Sequence, residues 1–161
     1  MQVTDPSAMT TRPLTPGEVA LARTMFGDAI DYAPVRIVRR KWFPFQGRKI
    51  AMAPCGHIHF HPQSHLWSED FSADVPWRRA LFIHEMTHVW QSQQRGKYYL
   101  PLMRHPFCRY IYAVKPGQKF DRYGLEQQAE IVKHAFMLRN GHSFPGAPPL
   151  AQLESILPFR P

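Results

Sequence analysis

Residues 82–91, FIHEMTHVWQ, place two histidines four positions apart in a helix-like run. Positions i and i+4 lie one turn apart on the same face of an α-helix. His84 and His88 can therefore offer two imidazole nitrogens to one Zn²⁺. Glu85 lies beside them, where its carboxylate can take a proton from a zinc-bound water. The pattern predicts a zinc site with Glu85 as catalytic base. The alternative is a core helix whose histidines are only hydrogen-bonded.

A catalytic zinc has three protein ligands, so a third residue must come from elsewhere in the chain. A second helix is predicted from about residue 122 to 139, and Glu126, Glu130 and His134 form one polar stripe along it. A carboxylate that points into a core is costly unless a cation neutralises it. We therefore favour Glu126 as the third ligand, ahead of Glu130 and then His134. A stripe that faces solvent is the alternative.

Three further side chains are candidates for supporting roles. Glu130 is predicted to orient an imidazole by accepting its other ring N–H, with His134 one turn behind it. Tyr123, three residues before Glu126, is predicted to stabilise an oxyanion, although simple packing is the alternative. His105 is a weaker candidate ligand.

The length of 161 residues suits a single domain with one core. We expect residues 1–13 to be a flexible segment and residues 14–161 to form an α+β domain. In it, the two helices lie beside a small, mostly antiparallel sheet. The other expected elements are a helix capped by Thr15 that ends at Gly27, strands near 35–41, 49–53 and 57–61, an extended segment at 109–114, and a short helix within 148–157.

His57, His59 and His61 alternate with Ile58 and Phe60. Strict alternation predicts a strand with the three histidines on one face. Such a row can chelate a second metal ion. It is equally well explained by a strand that lines the cleft and packs its apolar back against the core.

The net charge of +8 raises the question of nucleic-acid binding. Basic residues cluster in Arg36–Lys41, where alternation favours an edge strand whose charges face solvent. No nucleic-acid-binding motif accompanies this run, so we do not favour that function. Cys55 and Cys108 are too few for a disulfide scaffold, and we expect free thiols.

No apolar run reaches the 18 residues that a membrane span requires. The first 13 residues also lack the basic and then apolar pattern of a signal peptide. We therefore expect the cytoplasm as the default location, with export by a secretion route that needs no signal peptide as the alternative.

His84–His88 followed by Glu126–Glu130 resembles the zincin metallopeptidases of the glutamate-liganded, gluzincin type. The resemblance implies a zincin fold with His84, His88 and Glu126 as zinc ligands and Glu85 as the base. The run from residue 81 to 139 is also similar to small bacterial zincin-like proteins that are labelled as related to the spike protein of type VI secretion. The 38 residues between His88 and Glu126 are more than in compact members, so this segment is expected to loop across the cleft.

Two functions remain in competition. The first is a zinc-dependent metallopeptidase that acts on a peptide or protein substrate, with Glu85 activating a zinc-bound water. The second is a zincin-like binding or adaptor module, linked to a bacterial secretion system, with a structural metal and no catalysis. Glu85 favours the first, because holding zinc does not require it. Zn²⁺ is the expected ion, although histidine and carboxylate ligands also accept other divalent metals.

Overall fold

The computed structural model describes residues 10–105 and 107–160. These residues form an α+β domain, which confirms the fold class expected from the sequence. The helices are α1 (Pro16–Phe26), α2 (Pro76–Arg95), α3 (Tyr99–Met103), α4 (Leu125–Arg139) and α5 (Leu150–Ile156), and the strands are β1 (Thr10–Pro13), β2 (Arg36–Arg39), β3 (Ala51–Met52) and β4 (Ile58–Phe60).

The four strands lie in the order β1-β2-β4-β3. The β1/β2 and β4/β3 pairs are antiparallel, whereas β2 and β4 run parallel, with Ile37 opposite Ile58. The expectation that the basic run forms an edge strand is therefore wrong, because β2 is paired on both sides. The arginines at its two ends donate to backbone carbonyls: Arg36 donates to Ala33 O close by in the chain, and Arg39 donates to Pro62 O just after β4.

A line of aromatic rings fixes α2 against the sheet. Phe60 of β4 stacks on Phe71 with ring centroids 5.6 Å apart, and Phe71 stacks on Phe82 of α2 at 5.5 Å. Ile83 and Val89, also on α2, are fully buried in the same core. Burial of this apolar surface drives the packing. It also holds α2 alongside α4, so the histidine-bearing face of α2 meets α4.

The N-terminal part of the domain is anchored by a buried carboxylate. Thr15 and Glu18 form the expected capping box at the start of α1. Glu18 also accepts hydrogen bonds from Arg12 on β1. The boundary expected after residue 13 is therefore placed too late, because residues 10–13 pair with β2 as strand β1. The rest of the expected flexible segment, residues 1–9, lies outside the described residues.

The start of α4 differs from the expected boundary, whereas the segment before it was not expected to form a helix. Residues 109–114, expected to be extended, form neither a strand nor a helix; one bond that holds this segment is donated by Gln127 Nε2 to Ile111 O at 2.7 Å. Helix α4 begins at Leu125 rather than near residue 122, because Phe120–Arg122 form a 3₁₀ turn. Tyr123 after this turn is extended, with φ −84° and ψ 149°.

Candidate metal centre

Helix α2 presents His84 and His88 on one face. Both imidazoles are buried, and their ring centroids lie 5.0 Å apart. This closeness follows from the i, i+4 spacing on a regular helix. The apolar residues on the opposite face of α2 fix the rotation of the helix, so both rings point towards α4.

Glu126, in the first turn of α4, completes the group. Its Oε2 atom lies 3.3 Å from His84 Nε2 and 3.1 Å from His88 Nε2. One potential ligand atom from each residue falls within 4.8 Å of the others. Glu126 is only 2% exposed, so its charge needs a buried partner. Two imidazole nitrogens and one carboxylate oxygen are a donor set that suits a catalytic or structural zinc, and these residues fit the ion.

The other ring nitrogens are held by acceptors. His84 Nδ1 lies 2.9 Å from Glu130 Oε1, and His88 Nδ1 lies 2.8 Å from Gln91 Oε1. Gln91 is itself fixed, because its amide donates to Leu125 O and Gln128 Oε1, each at 3.0 Å. Because each Nδ1 atom has an acceptor, both Nε2 atoms face Glu126. Histidines that bind a metal are commonly oriented in this way, through a hydrogen bond to the ring nitrogen that does not bind the ion. Sequence reasoning anticipated this position for Glu130 but missed Gln91, whose signal is its place three residues after His88.

The charges in this group are strongly coupled. Burial lowers the pKa of His84, but hydrogen bonds to Glu126 and Glu130 outweigh burial and raise the pKa to about 9. Burial raises the pKa of the Glu126 carboxyl, yet the bonds from His84 and His88 hold it well below its usual range. Burial also raises the pKa of Glu130, but hydrogen bonds from His134, His84 and Lys133 outweigh it and lower the pKa. Without a metal ion, His84 is therefore an imidazolium between two carboxylates at neutral pH.

Glu85 lies beside this group and faces a cavity. The cavity has a volume of about 420 Å³ and is lined by His84 and Glu85 together. Glu85 is 5% exposed, and its Oε2 atom has no hydrogen-bond partner among the described residues. A buried carboxylate oxygen without a partner is costly. The Glu85 carboxylate is therefore placed to accept a hydrogen bond from a molecule bound in the cavity.

Arg104 and Tyr110 come from the long segment between α2 and α4, and sequence reasoning missed Arg104. Arg104 Nη2 lies 3.2 Å from Glu126 Oε1, on the carboxylate oxygen that does not face the histidines. The ring of Tyr110 stacks over His84 with centroids 6.4 Å apart. Both side chains line the cavity, as the loop expected across the cleft would place them. No periodicity marks them, because the path of this segment depends on tertiary contacts.

The remaining candidates lie farther from the histidines. Tyr123 is buried, and its hydroxyl accepts a hydrogen bond from Lys115 N–H at 3.2 Å, which favours packing over the oxyanion role. His134 Nε2 lies 3.3 Å from Glu130 Oε2, and its Nδ1 is 2.7 Å from the Tyr112 hydroxyl. His105 is exposed, and its Nδ1 accepts from the N–H of the residue two positions on.

The histidines of β4 and its flanks each bond to a different backbone group. His57 Nδ1 accepts from Arg36 N–H, His61 Nδ1 accepts from Gln63 N–H, and His59 Nδ1 lies 3.3 Å from Arg40 O. Among the described residues, the three rings form no common metal-type group. None of them lines the cavity beside His84 either. Local bonding of the strand therefore accounts for this row better than a second metal does.

The fold and the site define a class of protein: a single α+β domain with a buried His–His–Glu group between two packed helices. No family model matches the chain. The type VI secretion system spike protein VgrG2b of Pseudomonas aeruginosa is 39% identical over 141 residues, which cover 84% of this chain. The solved effector domain of Pseudomonas aeruginosa VgrG2b has a TM-score of 0.72 and 35% identity, over 94% of this chain and 83% of that one. The chain belongs to the family of the VgrG2b effector domain.

This relationship confirms the resemblance to spike-related proteins and corrects the main functional expectation. The sequence favoured a zinc-dependent metallopeptidase over a module linked to a secretion system. Both relatives are known by their place in type VI secretion, so the secretion-linked alternative describes the chain better. The chain spans only 14% of the length of VgrG2b. Among the described residues, no helix is both long and apolar enough to cross a membrane.

Proposed function

We propose that this chain is an effector module of a type VI secretion system and that it holds one Zn²⁺ through His84, His88 and Glu126. The main support for the metal site is the approach of two imidazole nitrogens to one carboxylate oxygen. His84 Nε2 lies 3.3 Å and His88 Nε2 lies 3.1 Å from Glu126 Oε2. Hydrogen bonds of this length already bring the three donors close enough to share one ion. The zincin-like spacing of the ligands supports the same assignment.

The surrounding residues have distinct tasks in this proposal. When bound, zinc supplies Lewis acidity at the head of the cavity. Glu130 and Gln91 orient the imidazoles through Nδ1, and Arg104 holds the second oxygen of Glu126. Glu85 contributes a buried carboxylate to the same cavity, and its role in moving a proton stays a prediction.

The secretion link rests on the relatives. One is a spike protein and the other is its effector domain, and the match to that domain covers nearly the whole of this chain and 83% of the domain. We therefore propose the spike as the partner and delivery by the spike as the route out of the producing cell.

Delivery can be tested in a bacterial competition. An attacker strain would carry a VgrG2b in which this chain replaces the native effector domain. The recipient strain would lack VgrG2b and this chain. We expect recipient survival to fall with the wild-type chain and with Glu154→Ala, which removes a surface ion pair to Arg139. We expect survival to recover with Glu126→Ala, because this change removes the proposed metal.

Detection of the hybrid spike in the growth medium provides the control for secretion. If the hybrid is secreted and recipient survival equals that with a spike lacking this chain, the effector assignment is wrong. If Glu126→Ala acts as strongly as wild type, the metal is not part of the function.

Zinc affinity is expected to depend on pH. Since the pKa of His84 is about 9 in the metal-free protein, the ion must displace a proton from this ring at neutral pH. Apparent affinity should therefore rise about tenfold per pH unit between about pH 6.5 and 8. The stability of the metal-free fold has the opposite pH dependence. The His84 imidazolium stabilises this fold fully below about pH 6.5, and this stabilisation is lost as the pH rises through the folded-state pKa of about 9. Competition with a chromophoric chelator measures the affinity, and a flat profile would contradict this assignment.

A further inference from the structure

Large apolar side chains protrude from two segments of the domain, residues 41–50 and the described part of residues 97–111. Among the residues that the structure describes, nine of the eleven exposed large apolar side chains lie in these segments. Phe45, Leu102, Phe107 and Ile111 are 81–89% exposed. A folded domain usually keeps such side chains scattered or covered, and a group of them marks an interaction site.

The two segments meet at the cavity beside the metal centre. Lys49 and Ile50 of the first segment line this cavity together with Arg104 and Tyr110 of the second. The segments therefore form one continuous surface, which we call the basic-apolar face (residues 41–50, 97–105 and 107–111).

A second point of contact lies at Cys55. Burial raises the pKa of the Cys55 thiol, and the charge of Lys97 and a hydrogen bond from Trp42 oppose this effect. Lys97 belongs to one segment and Trp42 to the other, so the two segments also lie close together here.

Contacts within the second segment link its protruding side chains. Leu102 and Met103 are neighbours in α3, and Met103 and Phe107 line one depression together with Gln127. Gln127 also donates to Ile111 O at 2.7 Å. These four apolar residues therefore follow one another along the face.

The basic-apolar face carries six cations and no carboxylate. No Asp or Glu occurs in residues 32–68 or in residues 86–120. Of the six cations, Arg104 alone has an ion pair with another described residue, Glu126, at 3.2 Å. The other five are exposed: Lys41, Arg48, Lys49, Lys97 and Arg109.

Two carboxylates at the border of the face do not cancel this charge. Glu130 is already paired with Lys133 at 2.7 Å, and Asp121 shares a cavity wall with Arg95. The face therefore has an excess of positive charge and favours an anionic partner.

The apolar side chains decide which anionic partner fits. Protein interfaces are depleted of lysine, whereas this face has three lysines. Nucleic acids stack their bases on aromatic rings, and Leu102, Met103 and Ile111 offer no ring. The boundary between lipid headgroups and acyl chains accepts all of these side chains, because it offers phosphates to cations, hydrocarbon to aliphatic groups and a polar layer to tyrosine.

We propose that the basic-apolar face binds the surface of a bilayer that contains anionic phospholipids. Leu102, Phe107 and Ile111 enter the boundary between headgroups and acyl chains, and Lys97 and Arg109 bind headgroup phosphates. None of these residues is a ligand in the proposed metal centre, so this inference does not depend on the ion.

Flotation of the purified chain with vesicles tests this inference, with phosphatidylcholine alone or mixed with phosphatidylglycerol. We expect binding to the mixed vesicles and little binding to the neutral ones, because each cation near an anionic surface strengthens binding about fivefold. Raising the salt from about 0.1 M to about 1 M should weaken binding, because the screening length falls from about 10 Å to about 3 Å. Added Zn²⁺ should leave the result unchanged.

Ile111→Ser should weaken binding to the mixed vesicles about tenfold, and Arg109→Gln about fivefold. The matched controls change exposed residues of the same kind outside the face. Val75→Ser, at a side chain that is 47% exposed, and Lys119→Gln, at a different cavity, should bind as the wild type does. Thermal unfolding shows that each variant is folded.

Binding to neither type of vesicle, equal binding to both, or wild-type binding by Ile111→Ser and Arg109→Gln would overturn the inference. Binding of a duplex oligonucleotide without binding of vesicles would assign the face to nucleic acid instead. Dimerisation that Ile111→Ser abolishes, again without binding of vesicles, would assign it to a second copy of the chain. Zinc content measured in the same samples tests the metal centre separately, so failure of one proposal is distinguishable from failure of the other.

Discussion

Glu126→Ala is expected to remove zinc from the protein. The wild type should hold close to one ion per chain, and the variant close to none after dialysis. Loss of a residue that only orients a ligand weakens metal binding about 10-fold to 100-fold, so loss of a ligand should exceed 100-fold. The physical reason is that Glu126 supplies the negative charge between two buried imidazoles.

Two matched variants control this result. Glu85→Gln changes a buried carboxylate on the same cavity that is not in the three-residue group, so it should retain the ion. Glu154→Ala changes a surface carboxylate and should also retain it. Elemental analysis gives the metal content, and thermal unfolding of the metal-free proteins shows that each variant is folded. A Glu126→Ala protein that keeps a full complement of zinc would remove Glu126 from the ligand set.

Glu18→Ala is expected to produce a large loss of stability. Glu18 is 0% exposed and accepts hydrogen bonds from Arg12, Thr15 N–H and Phe71 N–H, at 2.8 to 2.9 Å. These bonds join β1, the start of α1 and the 3₁₀ turn at Phe71–Ala73. The substitution leaves a guanidinium and two backbone donors without their acceptor. Breaking one side of a buried ion pair costs about 3 to 5 kcal/mol.

Chemical denaturation of the variant and the wild type measures this difference in the free energy of unfolding. Asp28→Ala is the matched control, because it removes the exposed carboxylate that pairs with Arg23. Such a surface pair contributes at most about 1 kcal/mol. If Glu18→Ala costs no more than Asp28→Ala, the carboxylate does not hold the N-terminal elements together.

Features with a short sequence period could be predicted well. The four-residue spacing of His84 and His88 and the polar stripe of α4 led to Glu126, and the structure brings these three residues together. The capping box at Thr15 marked the start of α1 correctly, since both of its bonds are local. The buried face of α2 also follows from its apolar residues. In each case the deciding interactions lie within one or two turns of a helix.

Features that depend on long-range pairing could not be predicted. Alternation in the basic run indicated a strand but not its neighbours, so β2 was expected at an edge although it lies inside the sheet. Tyr123 was expected one turn before Glu126 on a continuous helix. The 3₁₀ turn before it and its extended backbone break that geometry. Arg104 and Tyr110 reach the site because their segment folds back over it, which no local pattern records.

X-ray absorption at the zinc edge of the purified wild-type chain tests the central claim most directly, because it reports the atoms around the ion. The account predicts scattering from two imidazole rings together with oxygen neighbours, and loss of the bound zinc in Glu126→Ala. A sulfur neighbour, which would implicate Cys55 or Cys108, or a single imidazole would contradict the assignment of His84, His88 and Glu126 as the metal centre.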